Sequence, residues 1–142
     1  MKKIFLILIL FASFTTVTAQ SWLTDLNEAK KQAKDEHKKI VLVFQGSDWC
    51  TPCIKLDREI WQSDTFKQYA KEHFILVKAD FPRRKKNRLS KEQQAKNNQL
   101  AERYNHNGIF PLVVVLNADG KVLNQLSYEA ISPKNYIKKL ES

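Results

Sequence analysis

The chain has 142 residues, a length that suits a single domain. Hydrophobic residues make up 43% and charged residues 27%, with 3 Gly and 4 Pro, which excludes a disordered or low-complexity chain and leaves most of it for helices and strands. A formal charge of +9 disfavours basic partners, and 2 cysteines are too few for a small secreted scaffold stapled by disulfides.

The first segment has the pattern of an export signal. Lys2 and Lys3 form a positive start, and Ile4 to Phe14 form an apolar run too short for a stable bilayer anchor. Val17-Thr18-Ala19 supplies the small residues that a signal peptidase accepts. Cleavage after Ala19 is expected, giving a signal peptide over 1–19 and one domain over 20–142, periplasmic or secreted. The segment holds no Cys for lipid attachment. Loss of Lys2 and Lys3 takes the formal charge from +9 to +7. An exported chain seldom meets nucleic acid, so this charge is read as surface character and no nucleic-acid partner is expected.

Trp22 to His37 has helical spacing, with Leu23, Leu26, Ala29 and Ala33 on one stripe and Ser21 or Thr24 as the cap. Lys39 to Gln45 is a continuous apolar run without alternation, as in a strand buried on both faces. Gly46-Ser47-Asp48 breaks it. From Cys50 to Trp61 the spacing is helical again, through Ile54, Leu56, Ile60 and Trp61, and Ser63-Asp64 caps a short helix through Tyr69 and Ala70. Phe74 to Asp80 is a second buried strand, ended by Pro82. Arg83, Arg84, Lys85, Lys86, Arg88 and Lys91 form a basic run, read as a solvated loop before acidic docking or contact with an anionic surface. A polar helix follows from about Ser90 to Asn105, stopped by Gly108. Pro111 to Asn117 is a third strand, Ala118-Asp119-Gly120 a hairpin turn, and Lys121 to Ser127 its alternating antiparallel partner. Ser132-Pro133 opens a last helix with Tyr136, Ile137 and Leu140 on its buried stripe. The order predicts an α/β fold: a central mixed sheet with helices on both faces, a closing hairpin and a C-terminal helix.

Cys50 and Cys53 are placed where a buried strand turns into a helix. A disulfide across two residues constrains the unfolded chain very little, so chemistry explains the pair better than stability does. Cys50 falls at a helix N-terminus, where unpaired N–H groups and the macrodipole favour a thiolate. Cys53 is one turn on, and Pro52 is tolerated in a first turn. Trp49 would shelter the sulfur and offer a flat apolar contact. Zinc is disfavoured because His37, His73 and His106 lie scattered, and covalent haem because Ile54 follows the second Cys. Trp22 and Trp61 are read as core or groove-edge residues. His37 and His73 are read as surface residues at helix ends.

The segment VLVFQGSDWCTPC resembles the strand, loop and active site of the thioredoxin superfamily. Ile109-Phe110-Pro111 before LVVVLNADGKVL is similar to that family's second signature, a cis-proline opening the hairpin strand. The resemblance spans roughly residues 38–140 and extends to exported bacterial members, including the C-terminal domain of the transmembrane periplasmic disulfide reductase. It implies a thioredoxin-like fold and thiol–disulfide exchange through Cys50 and Cys53, with no bound cofactor and no metal. It also implies a cis Phe110–Pro111 bond and a substrate groove built from Ile109, Phe110 and Pro111 beside Trp49, Thr51 and Pro52. Two departures bear on the redox potential. Phe44 stands where ordinary thioredoxins bury an Asp, leaving Asp48 or Asp80 as proton donor. Thr51-Pro52 replaces Gly-Pro, with no His or cation to favour an oxidant, so a reductant is expected. Exported protein disulfides or thiols are the expected substrates and a membrane electron donor the expected partner, for a monomeric chain. The other reading is a chaperone or adaptor that binds clients without turnover.

Overall fold

A computed structural model of the chain describes residues 20–142. The expected signal peptide, residues 1–19, lies outside the described residues. Five strands form one mixed sheet in the order β1-β3-β2-β4-β5. They are β1 (Trp22–Leu23), β2 (Lys39–Gln45), β3 (Phe74–Asp80), β4 (Leu112–Leu116) and β5 (Val122–Leu126). The helices are α1 (Leu26–Glu36), α2 (Thr51–Leu56), α3 (Asp64–His73), α4 (Lys91–Tyr104) and α5 (Pro133–Glu141).

The unbroken apolar run of β2 follows from its place at the centre. It pairs parallel with β3 and antiparallel with β4, and Ile40 to Phe44 are all 0% exposed. Alternate residues feed two cores. Ile40, Leu42 and Phe44 pack with Leu26, Ala29 and Ala33 of α1 and Leu100 and Tyr104 of α4. Val41 and Val43 pack with Leu56, Phe66, Tyr136 and Leu140 on the other face. Each fully buried Val, Leu, Ile or Phe among them contributes roughly 1.5–3 kcal/mol. Serine caps start three helices: Ser63, Ser90 and Ser132 accept the N–H of Phe66, Gln93 and Asn135.

The structure corrects the reading in four places. Trp22 and Leu23 are not helical; they add a parallel edge strand opposite Leu76 and Val77, and Trp22 meets Trp61 edge-on at 5.6 Å. The helix therefore starts at Leu26, with Asp25 rather than Thr24 or Ser21 as its cap, accepting from Asn27 N–H at 2.8 Å. The second helix changes pitch: Asp57–Trp61 is a π-helical turn closed by Gln62 N–H on the Asp57 carbonyl. Within this turn the consecutive Ile60 and Trp61 are both fully buried. Finally, β5 does not alternate cleanly. Asn124 faces Val115 and Val122 faces Leu116, so Leu123 is a bulge, and Val122 and Leu123 are 40% and 46% exposed. The hairpin turn itself holds. Asn117 Oδ1 accepts from Asp119 and Lys121, and Gly120 at φ +88° takes a position where a Cβ would stand 2.9 Å from the Tyr104 hydroxyl.

Candidate active site

The C-terminal end of β2 delivers the chain into a tight turn in which Cys50 N–H bonds the Gly46 carbonyl at 2.9 Å. Cys50 then caps α2 in extended conformation, with Pro52 in the first turn. Its Sγ accepts the Cys53 N–H at 3.3 Å, and the two cysteines form a disulfide with Cα atoms 5.2 Å apart. Both are nearly buried, at 5% and 4% exposure, while Thr51 and Pro52 between them are exposed.

Trp49 is fixed on three sides. Its indole N–H donates to the Phe81 carbonyl at 2.7 Å, and its ring meets Phe110 edge-on at 5.6 Å. The Arg83 guanidinium lies over it at 3.7 Å from the ring centre. One face is therefore covered by a cation, a difference from the free apolar surface expected of Trp49. Gly46 makes this packing attainable: a Cβ there would lie 2.2 Å from Trp49 Cε2.

The second loop arrives as expected. The Phe110–Pro111 bond is cis, with Pro111 buried, Phe110 half-buried and Ile109 46% exposed. The Trp49–Phe110 contact joins the neighbour of Cys50 to the neighbour of Pro111. Asn105, 5% exposed, was not anticipated. Its Nδ2 donates to the Ile109 carbonyl and its Oδ1 accepts the Ile109 N–H, each at 2.8 Å. Ile109 thus has its backbone occupied and only its side chain offered to solvent.

Both acidic candidates are engaged in hydrogen bonds within the loops. Asp48 accepts Arg83 N–H at 2.9 Å, Arg84 N–H at 3.0 Å and the Asn87 amide at 3.0 Å. These donors, the Arg83 N–H first and the Asn87 amide next, pull its pKa down to about 2, so it stays ionised near neutrality. Asp80 accepts from Ser47 N–H at 3.0 Å, Ser47 O–H at 2.6 Å and Phe81 N–H at 3.0 Å. Both carboxylates are spent on loop geometry. Phe44 is fully buried in the core, as its apolar side chain requires. The cations of the basic run are all exposed, as in the solvated loop expected, and Asp48 and Trp49 bind its start. The signal was present in the sequence as a run of cations with no acid within it, but its partner 35 residues upstream was not legible.

The chain belongs to the thioredoxin-like family, whose model matches residues 21–118. It is 41% identical over 115 residues to the disulfide bond reductase DsbH of Chlamydia pneumoniae, covering 81% of this chain and 68% of that protein. A solved DsbH oxidoreductase superposes with a TM-score of 0.79 at 36% identity, over 87% of this chain and 83% of the other. The oxidised C-terminal domain of DsbD from Neisseria meningitidis shares the fold, with a TM-score of 0.56 at 22% identity, over 85% and 97% of the two chains. With the Cys50–Cys53 disulfide on this fold, the chain is a thiol–disulfide oxidoreductase.

Proposed function

We propose that the protein is an exported reductant of protein disulfides, with Cys50 as nucleophile and Cys53 as resolving thiol. The observation that carries this reading is the disulfide at the start of α2, with Cys50 capping the helix and Trp49 packed on Phe110 beside cis-Pro111. In the reduced form, unpaired N–H groups at this helix start favour the Cys50 thiolate. The thiolate attacks one sulfur of a substrate disulfide, and the other leaves as a thiolate. Cys53, deprotonated in turn, attacks Cys50 Sγ, releases the second substrate thiol and leaves the protein as the disulfide. Two electrons pass to the substrate, and a dithiol donor must return them. For an exported chain that donor lies in a membrane. Thr51 and Pro52 frame the sulfurs, and Trp49, Ile109, Phe110 and Pro111 form the groove for the substrate chain. Export rests on the pattern of residues 1–19 and places the protein in the periplasm or outside the cell. Among the described residues no helix is long and apolar enough to cross a membrane.

The direction of transfer follows from the Thr51-Pro52 dipeptide, which places no cation between the cysteines, and from the likeness to a disulfide bond reductase. Equilibration in defined thiol–disulfide buffers, with alkylation and mass measurement, tests it. A potential near that of thioredoxin, about −270 mV, is expected, and one near −120 mV would make the protein an oxidant. Cys50→Ala should abolish exchange, and Cys53→Ala should accumulate mixed disulfides. Full client binding and full cellular effect in Cys50→Ala would instead support a chaperone or adaptor.

A further inference from the structure

The segment Arg83 to Lys91 carries six cations, Arg83, Arg84, Lys85, Lys86, Arg88 and Lys91, and no Asp or Glu. All six are exposed, and among the described residues none of them forms an ion pair. Like charges so close repel, and a free loop would spread them. Here the loop is held in place. Asp48 binds the backbone of Arg83 and Arg84 and the side chain of Asn87, and Lys85–Asn87 close a short 3-10 turn. The latch is the residue before Trp49, and Arg83 lies on Trp49 itself, at 3.7 Å. The start of this basic segment is therefore fixed against Trp49, the residue before Cys50, at the rim of the site. Ile54, next to Cys53 in the chain, and Ile109, next to Phe110, are exposed at 43% and 46% and offer apolar contacts.

We propose that this segment is a docking surface for acidic polypeptide, so that the protein selects substrate proteins whose disulfides are flanked by Asp and Glu. This rests on the reductase reading and names its substrate class. A pinned row of cations beside a nucleophile attracts carboxylates before the sulfurs meet and raises the association rate. An anionic bilayer seated on the segment would lie against the same rim and close it to protein substrates, which makes it the poorer occupant.

The test uses the purified protein, reduced beforehand, and three matched disulfide-looped peptides whose flanking residues are acidic, neutral or basic. At low salt the acidic peptide should be reduced about tenfold faster than the neutral one, and the basic one more slowly still. The gap should close as salt is raised toward 1 M, where screening acts within about 3 Å. Neutralising Lys85, Lys86 and Arg88 together to Gln should cut the gap to about twofold. The same change at Lys31, Lys71 and Lys121, exposed lysines of α1, α3 and the β4–β5 turn, should leave most of it. Asp48→Ala, which keeps every cation and removes the latch, should also lose most of the gap although the net charge rises. Equal rates for the acidic and neutral peptides overturn the proposal. So does an equal loss in the two triple variants, which would assign the effect to net charge alone. Binding to phosphatidylglycerol vesicles that needs Lys85, Lys86 and Arg88, with equal peptide rates, would give the segment to a membrane surface instead. If no peptide is reduced, the reductase reading fails, and this inference with it.

Discussion

Asn105 holds the loop before cis-Pro111 with a single amide, serving both the N–H and the C=O of Ile109. Alanine there leaves two backbone groups without partners in a partly buried setting, at a cost of about 2–4 kcal/mol. Asn105→Asp keeps only the acceptor and should fall between the two. Urea unfolding measures the loss, and kcat/KM on a disulfide peptide should fall further than stability alone explains, because the loop shapes the groove. Nothing in the sequence pointed to Asn105: a polar residue after a helix reads as an ordinary stop, and its partner is backbone, which carries no side-chain signal. Cys50 and Cys53 were legible because their chemistry depends on local spacing. The burial of Phe44 was legible from the apolar run of β2, and the resemblance added only that it stands where ordinary thioredoxins bury an Asp. Arg83 was visible as a charge but not as the cover of Trp49, since that contact joins two loops distant in sequence.

At the scale of elements, Asp48 ties the turn after β2 to the loop after β3. Its pKa is lowered from the usual 3.8 to about 2, first by the Arg83 N–H and then by the Asn87 amide. A carboxylate depressed in the folded state stabilises the fold above its unfolded pKa, and the benefit is lost as pH falls through the folded value. The wild type should therefore exceed Asp48→Asn in stability at neutral pH. That gap should narrow between about pH 5 and pH 2 and vanish below. Urea midpoints of both proteins across this range check it; a gap that stays constant would mean that Asp48 acts by shape rather than charge. Helix and strand identities were mostly legible because buried stripes set them. The π turn at Asp57–Trp61 was not, because Leu56, Ile60 and Trp61 fit the stripe of an ordinary α-helix equally well. The short β1 was hidden for a similar reason: Leu23 matches the stripe of α1, and only pairing with Leu76 and Val77 decides against helix.

Across the whole molecule, the alternation of buried runs and polar helices made the layered α/β arrangement legible, and the hairpin turn fixed the antiparallel pairing of β4 with β5. The position of β2 between a parallel and an antiparallel neighbour could be inferred only from its unbroken burial. The same architecture sorts the three tryptophans. Trp61 is fully buried, with Trp22 against it, whereas Trp49 directly precedes Cys50. A disulfide beside an excited indole drains its emission, and a dithiol does so less. The protein thus contains its own lamp: light from Trp49 should brighten on reduction over a steady background from Trp22 and Trp61. Trp49→Phe should leave the spectrum indifferent to dithiothreitol. A brightening that survives that change would come instead from repacking around Trp61, and would reveal that electrons arriving at one end of the sheet are felt in its core.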